Sequence, residues 1–501
     1  MTRKRFNIKW WPVLIGGFIA TAACSKSFLE LQPKGTELED NFYKNQDQAF
    51  QGLVSVYDVM QWGTSGGYTM KMPLLSAASD DAYAGGSDAS DQPSWVAYDN
   101  FTLDAFRGPQ LGLWQKNFTG VYRANLLLEK IEKVDGLPAN FKSRVIAEAK
   151  TLRAYFYFDL VRFFGRVPLF TGPIPTSELY SQKQAEPAAI YAQIEKDLKE
   201  ARPDLPVTLP VAEYGRLTRG AATAMLGKAI IYQNNNARMA EAAGLLNEVN
   251  TSPAYRLLPN FGDIFRADNK FNAESILEIP HSNLAAWGDW GWINGGEGNV
   301  AVQYVGAADY NGPLYSGGWG FCPITEDLVA VMKTDPRFAH TIIDGAAMKA
   351  QGAKYTPRYQ NTDYFVRKYA PVTAFRSNVG TAEINWPMNE IEIRLADTYL
   401  LEAEALVRGG GNAARAQYLM DTVRHRVGLA AISATLDNIY KERRLELATE
   451  GHRFFDLVRS GKAVEVLGAR GFKANKNEVL PIPQQEIDVT NKVLEQNKGY
   501  N

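Results

Sequence analysis

Apolar residues recur at three- and four-residue spacing over long stretches of this chain, the period of an amphipathic helix. In residues 145–165 (VIAEAKTLRAYFYFDLVRFFG), Ile146, Ala149, Leu152, Phe156, Leu160 and Phe163 line one face, and Gly165 and Pro168 end the run. Residues 217–233 (LTRGAATAMLGKAIIYQ) repeat the pattern with Thr218 as N-cap. Their small residues, Gly220, Ala221, Ala224, Gly227 and Ala229, let a neighbouring helix come close. Residues 389–408 and 412–427 flank Gly409-Gly410-Gly411, and Tyr399, Ala403 and Leu406 face one way, as in the first helix of a tetratricopeptide-type hairpin. Four such pairs are predicted: 46–61 with 110–134, 139–164 with 186–200, 217–233 with 237–249, and 389–408 with 412–427. Two segments rich in Gly, Ser, Asp, Asn and aromatics interrupt them, 62–109 and 251–388, with strand-like fragments at 275–280 (SILEIP) and 363–371 (DYFVRKYAP). The expectation is a mainly α fold, a tetratricopeptide-like helical-repeat scaffold of about four helix pairs. Large irregular, loop-rich insertions with minor β interrupt it, and insertions are where such architectures carry function.

The amino terminus departs from this pattern. Arg3, Lys4, Arg5 and Lys9 precede a mostly apolar stretch, residues 10–20, and Thr21-Ala22-Ala23 lead to Cys24. Charge, apolar run and small residues in that order read as a secretory leader, too short for the roughly 20 apolar residues of a spanning helix. The cysteine at the cut site resembles the lipobox of bacterial lipoproteins, whose thiol is diacylated and becomes the first mature residue. Thr21 stands where Leu is usual. Residues 1–23 are therefore read as a lipoprotein signal peptide and Cys24 as the lipidation site. Cleavage removes four positive charges and no acidic one, so the formal net charge moves from −1 to −5. An acidic chain with no basic cluster has no electrostatic reason to hold nucleic acid. Cys322 is the one thiol left, so no intrachain disulfide forms and stability rests on packing.

Rings mark the candidate binding surface. Of the eight tryptophans outside the leader, Trp287, Trp290, Trp292 and Trp319 fall within 33 residues, where uniform scattering would place about half of one. Tyr304, Tyr310 and Tyr315 share that glycine-rich stretch (WGDWGWINGGEGN, then DYNGPLYSGGWGF). A pyranose lays its axial C–H face on such rings, while polar neighbours bond the hydroxyls. The competing reading is a satellite core beneath a long loop, and it is the better one for any single ring. Residues 62–100 form a second strip, with Trp62, Tyr68, Asp80, Asp81, Tyr83, Trp95, Tyr98 and Asn100. Asp80, Asp81, Asp88 and Asp91 offer carboxylates to a structural calcium ion but lack EF-hand spacing, so no cofactor is expected and calcium stays an open alternative.

Catalytic signatures are missing from the sequence. The four histidines have no HExxH arrangement, and no phosphate-binding glycine loop occurs. Cys322 has no recognisable partner, and adjacent carboxylates such as Asp80-Asp81 do not face each other across a sugar. No enzyme activity is expected.

Six ordered stretches resemble the SusD/RagB family of outer-membrane nutrient-binding lipoproteins. They are FLELQPKG (28–35), AEAKTLRAYFYFDLVRFFGRVPLF (147–170), YGRLTRGAATAMLGKAIIYQ (214–233), IRLADTYLLEAEAL (393–406), YKERRLELATEGHRFFDLVRSG (440–461), and the tail from VLPIPQQEID to LEQNKGY (479–500). The resemblance implies a tetratricopeptide-like scaffold and a lipid anchor in the outer membrane, facing the exterior. It also implies a lid over a TonB-dependent, SusC-like transporter that receives glycans or, less often, peptides. It divides the chain into the signal peptide 1–23, an N-terminal region 24–250 with three helix pairs, a ligand-binding insertion 251–388, and a C-terminal region 389–501. The expected ligand contacts are Trp287, Trp290, Trp292, Trp319, Tyr310, Tyr315, Asp80, Asp81, Trp95, Tyr98 and Asn100. The charges of the motifs themselves, among them Arg153, Tyr155, Asp159, Arg162, Glu442, Arg443 and Glu446, read as scaffold ion pairs and hydrogen bonds. His452, Arg453 and Phe455 beside Gly451 read as a helix junction. Two other classes stay open: a helical glycoside hydrolase with opposed carboxylates, and an adaptor whose concave helical face binds a protein segment.

Overall fold

The computed structural model describes residues 42–64, 68–284, 290 and 296–500. All four predicted helix pairs form. They are α1 (Gln46–Gln61) with α2 (Gln110–Ile131), α3 (Ala139–Phe164) with α4 (Pro187–Ala201), α5 (Arg219–Tyr232) with α6 (Met239–Asn250), and α7 (Leu395–Arg408) with α8 (Ala413–Arg426). Consecutive pairs also pack on each other, α2 on α3, α4 on α5 and α6 on α7, so the eight helices stack as a solenoid.

Local chemistry explains the boundaries. Asn45 caps α1 by accepting the Gln48 N–H at 2.9 Å, and Thr218 caps α5 by accepting from Ala221 at 3.1 Å. The small-residue face of α5 works as expected: a Cβ at Gly227 would stand 2.8 Å from Leu246 Cγ on α6. Helix α3 is buried on nearly every side from Ala147 to Phe164. Its buried polar residues pair with the stack and with the inserted helix that carries Lys71. Arg153 reaches both oxygens of Asp197, at 2.6 and 2.8 Å, and Lys71 bonds the Tyr155 hydroxyl (2.6 Å) and Asp159 (3.0 Å).

Two expectations need correction. Residues 389–394 do not open α7. Glu390–Arg394 is a strand, antiparallel to Ser275–Ile279. The alternation Glu390-Ile391-Glu392-Ile393 buries the isoleucines on one side, a period of two that wins over the helical spacing beyond it. The segment 62–109 is also less irregular than expected. It holds the buried helix Lys71–Ala77 and the helix Pro93–Asp99, which belong to the main core. In the 363–371 fragment only Tyr364–Val366 is strand, paired with Ile342–Asp344.

The C-terminal charges lock these pieces together. Arg394, at the end of its strand, bonds Glu274 (2.9 Å), Glu446 (2.6 Å) and Glu450 (2.7 Å), all buried. Gly451 makes the junction with φ +81°, and a Cβ there would meet Met72 Cα at 3.3 Å. His452 beside it is buried, and burial pushes its pKa down to about 4. No helix among the described residues is long and apolar enough to cross a membrane.

Candidate functional site

The two ring-bearing strips, more than 200 residues apart in sequence, meet along one ribbon. Residues 82–86 run beside 320–324, with Tyr83 N–H donating to Pro323 O (2.9 Å), Cys322 N–H to Ala84 O (3.0 Å) and Gly86 N–H to Gly320 O (3.1 Å). The short helix Val300–Val305 anchors the other side. Trp319 N–H donates to Gln303 O at 2.9 Å, Gly320 N–H to Gly306 O at 2.8 Å, and Phe321 N–H to Tyr304 O at 3.1 Å. Gly318 crosses Gly306 so closely that a Cβ on Gly318 would overlap the Gly306 backbone.

This frame holds a ladder of rings from surface to core. Trp290 is 52% exposed and lies 5.7 Å from Trp319, tilted by 35°. Trp319 sits 6.1 Å from Tyr68 and 6.0 Å from Tyr304. Below them Tyr304 stacks on Phe321 at 3.9 Å and 14°, and Trp95 lies 4.4 Å from Tyr304. Tyr304, Trp95 and Phe321 are buried, so the outer rings rest on a rigid floor. Charged groups lie beside Tyr68 and Gly320 in this frame. Exposed Asp91 accepts from Ser87 N–H and Oγ–H (2.9 and 3.0 Å). Burial, and next the Asp91 charge, raise the Tyr68 pKa. Arg358, against Gly320, pairs with Asp309 at 3.0 Å. The arrangement offers flat apolar faces with charged groups at the edge.

The other expected contacts lie elsewhere. Asp80 and Asp81 are buried in ion pairs. Arg453 grips both Asp80 oxygens (2.7 and 2.9 Å), and Arg444 bonds Asp80 (2.9 Å) and Asp81 (3.2 Å). Trp95 and Tyr98 stand three apart on the Pro93–Asp99 helix and both face the core, Tyr98 against Phe454 at 5.7 Å. Asn100 follows that helix and accepts from the Thr102 hydroxyl at 2.6 Å. Tyr310 and Tyr315 pack edge to face at 5.7 Å in a satellite core with Ile343, Met348 and Phe365. That is the bland reading of a ring beneath a loop. Trp287, Trp292 and Cys24 lie outside the described residues.

The sequence reading passed over Arg358 and Asp309. Asp309 opens the DYNGPLYSGGWGF stretch and Arg358 sits in no motif, and the two come together across 49 residues only through the fold. No group of three or more His, Cys, Asp or Glu side chains among the described residues is placed to hold a metal ion. The Cys322 thiol is buried, and burial raises its pKa well above the ordinary range.

Comparison with known proteins places the architecture. Residues 303–500 match the model of the SusD family, and residues 29–231 match that of a family described as starch-binding associating with outer membrane. A laminarin binding SusD-like protein of known structure is 44% identical, covers 91% of this chain and 100% of its own, and superposes with a TM-score of 0.86. Surface glycan-binding protein A from Bacteroides thetaiotaomicron, solved in complex with laminarihexaose, is 28% identical over 90% of this chain and 99% of its own, with a TM-score of 0.83. SusD-like protein P25 of Formosa agariphila is 24% identical over 95% of this chain and 96% of its own length. Helix stack, end-to-end coverage and sequence identity agree: this chain belongs to the SusD family.

Proposed function

We propose that this protein is a non-catalytic glycan-binding lipoprotein of the outer-membrane surface. It is anchored through Cys24 and passes captured oligo- or polysaccharide to a SusC-like, TonB-dependent transporter. The observation that carries the binding step is the exposed Trp290 ring tilted over Trp319, with Tyr68 beside it and buried rings beneath. Stacked rings with a charged rim suit a pyranose chain, whose C–H faces lie on the rings and whose hydroxyls bond the edge groups. Trp287 and Trp292 flank Trp290 in sequence.

A laminarin-type glucan is the ligand the relatives favour, since a 44% identical protein is described as laminarin binding and a second relative was solved with laminarihexaose. The hydrolase alternative loses ground because Asp80 and Asp81 are held by arginines and do not face a cleft.

Affinity electrophoresis of the mature chain through laminarin-containing gels tests the reading. Retardation with no reducing ends released supports it. Free migration through laminarin overturns the ligand assignment, and release of reducing ends overturns the non-catalytic one.

A further inference from the structure

A groove of about 280 Å³ lies between residues 207–218 and the strand Ser275–Ile279, and it shares no lining residue with the Trp290–Trp319 platform. Its rings are Tyr214, 45% exposed, and Phe271, 5.6 Å apart and inclined by 50°. Gly215, at φ +98°, turns the chain so that the loop closes against Pro280; a Cβ there would stand 3.2 Å from the proline ring. Thr208 brings a hydroxyl to the lining, while Arg216, bonded to Glu148 and Glu213, and Asn272, bonded to the Ile264 and Asn269 carbonyls, form its fixed polar edge.

Among the described residues the floor strand pairs on one edge, with Glu390–Arg394. It runs through Pro280 straight into the loop that carries Trp290, and Gln61 Nε2 holds the Pro280 carbonyl at 2.6 Å. Residue 62, next in the chain, begins the other ring-bearing strip. Groove and platform are thus consecutive along one stretch of backbone.

From this we infer a second carbohydrate-contact site in the groove, in which a pyranose unit of the bound glycan lies against Tyr214 and Phe271. The inference rests on the glycan-binding reading and deepens it. The chemistry of the lining matches the platform: ring faces with hydrogen-bonding groups at the edge. The continuity of the strand with the platform loop argues for the same ligand class. A groove of this volume takes about one sugar unit, so its contribution appears as avidity on polysaccharide.

The test is isothermal titration of the mature chain with laminarin polysaccharide, comparing wild type, Tyr214→Ala, Tyr214→Phe and Trp290→Ala/Trp319→Ala. Hydrogen exchange of residues 205–218 is followed with and without laminarin, and thermal midpoints check folding. The expected result is a weakening of roughly tenfold for Tyr214→Ala, little change for Tyr214→Phe, and slower exchange in 205–218 on binding. Wild-type affinity in Tyr214→Ala with unaltered exchange overturns the groove site and leaves the platform standing. Loss of binding in Tyr214→Ala with none in Trp290→Ala/Trp319→Ala upholds the groove and overturns the platform. No laminarin binding by wild type overturns both.

Discussion

Trp290 and Trp319 face each other with ring centres 5.7 Å apart, the first half in solvent and the second mostly covered against the core. The inner ring touches both Tyr68 and Tyr304, so the outer one is carried by the inner one. Their loss should therefore be unequal. Trp290→Ala removes one stacking face, worth about 0.5–1.5 kcal/mol, so laminarihexaose affinity falls by up to about tenfold. Trp319→Ala removes a face and the support of Trp290, and the fall is larger. Calorimetric titration of the two variants checks the order; equal effects, or a larger one for Trp290→Ala, contradict it.

The crossing of Gly306 and Gly318 makes a second prediction. Backbone lies where a Gly318 side chain would go, and backbone cannot rotate away. Gly318→Val should displace the 317–321 segment, and Trp319 with it. Glycan binding is lost while the far-ultraviolet dichroism of the helical stack is retained. Unimpaired binding by a folded Gly318→Val variant would separate the loop from the ligand.

The Asp80–Arg453 pair belongs to stability. Burial works to raise the Asp80 pKa, and the hydrogen bonds and charge of Arg453, with the charge of Arg444, outweigh it and hold the carboxyl below its ordinary range. A depressed carboxyl contributes stability above its unfolded value, about 3.9, and loses it as pH falls through the lower folded value. Glu446 follows the same sign: burial raises it, and Arg426, Arg394 and Arg337 together pull it well down. Urea midpoints should begin to fall below about pH 6.5, because burial holds His281 and His452 neutral down to about pH 4 while their unfolded imidazoles take up protons. They should fall further below about pH 4 as the paired carboxyls protonate. Arg453→Ala leaves Asp80 with Arg444 alone and should cost about 3 kcal/mol at pH 7, with laminarin affinity of the folded protein unchanged. A thermal midpoint equal to wild type would remove Asp80 from the scaffold role.

The lipid anchor is tested separately. Cys24→Ala should move the protein from the membrane pellet to the soluble fraction of the exported material. Persistence in the pellet rejects acylation at that residue.

How much of this was legible in the chain depends on the range of the interaction. Helix pairs were, because each rests on a local period: the face formed by Leu152, Phe156, Leu160 and Phe163 can be read within α3 and is buried as read. The start of α7 was not, because Ile391 and Ile393 take their side from a strand more than a hundred residues earlier. Trp290 and Trp319 stand out by their density in sequence, and the fold sets their rings side by side. Trp95 and Tyr98 were misassigned because a ring spaced for a helix core and a ring spaced for display look alike until the helix has a neighbour.

Alone, then, the sequence determined the helical scaffold and its order. Tertiary structure decided which polar groups serve the scaffold and which face solvent. Asp80 meets Arg453 across 373 residues, and Asp309 meets Arg358 across 49. Periodicity reports what a segment does with its own neighbours in sequence. Burial of a charge, and the partner that compensates it, exist only once distant segments have packed.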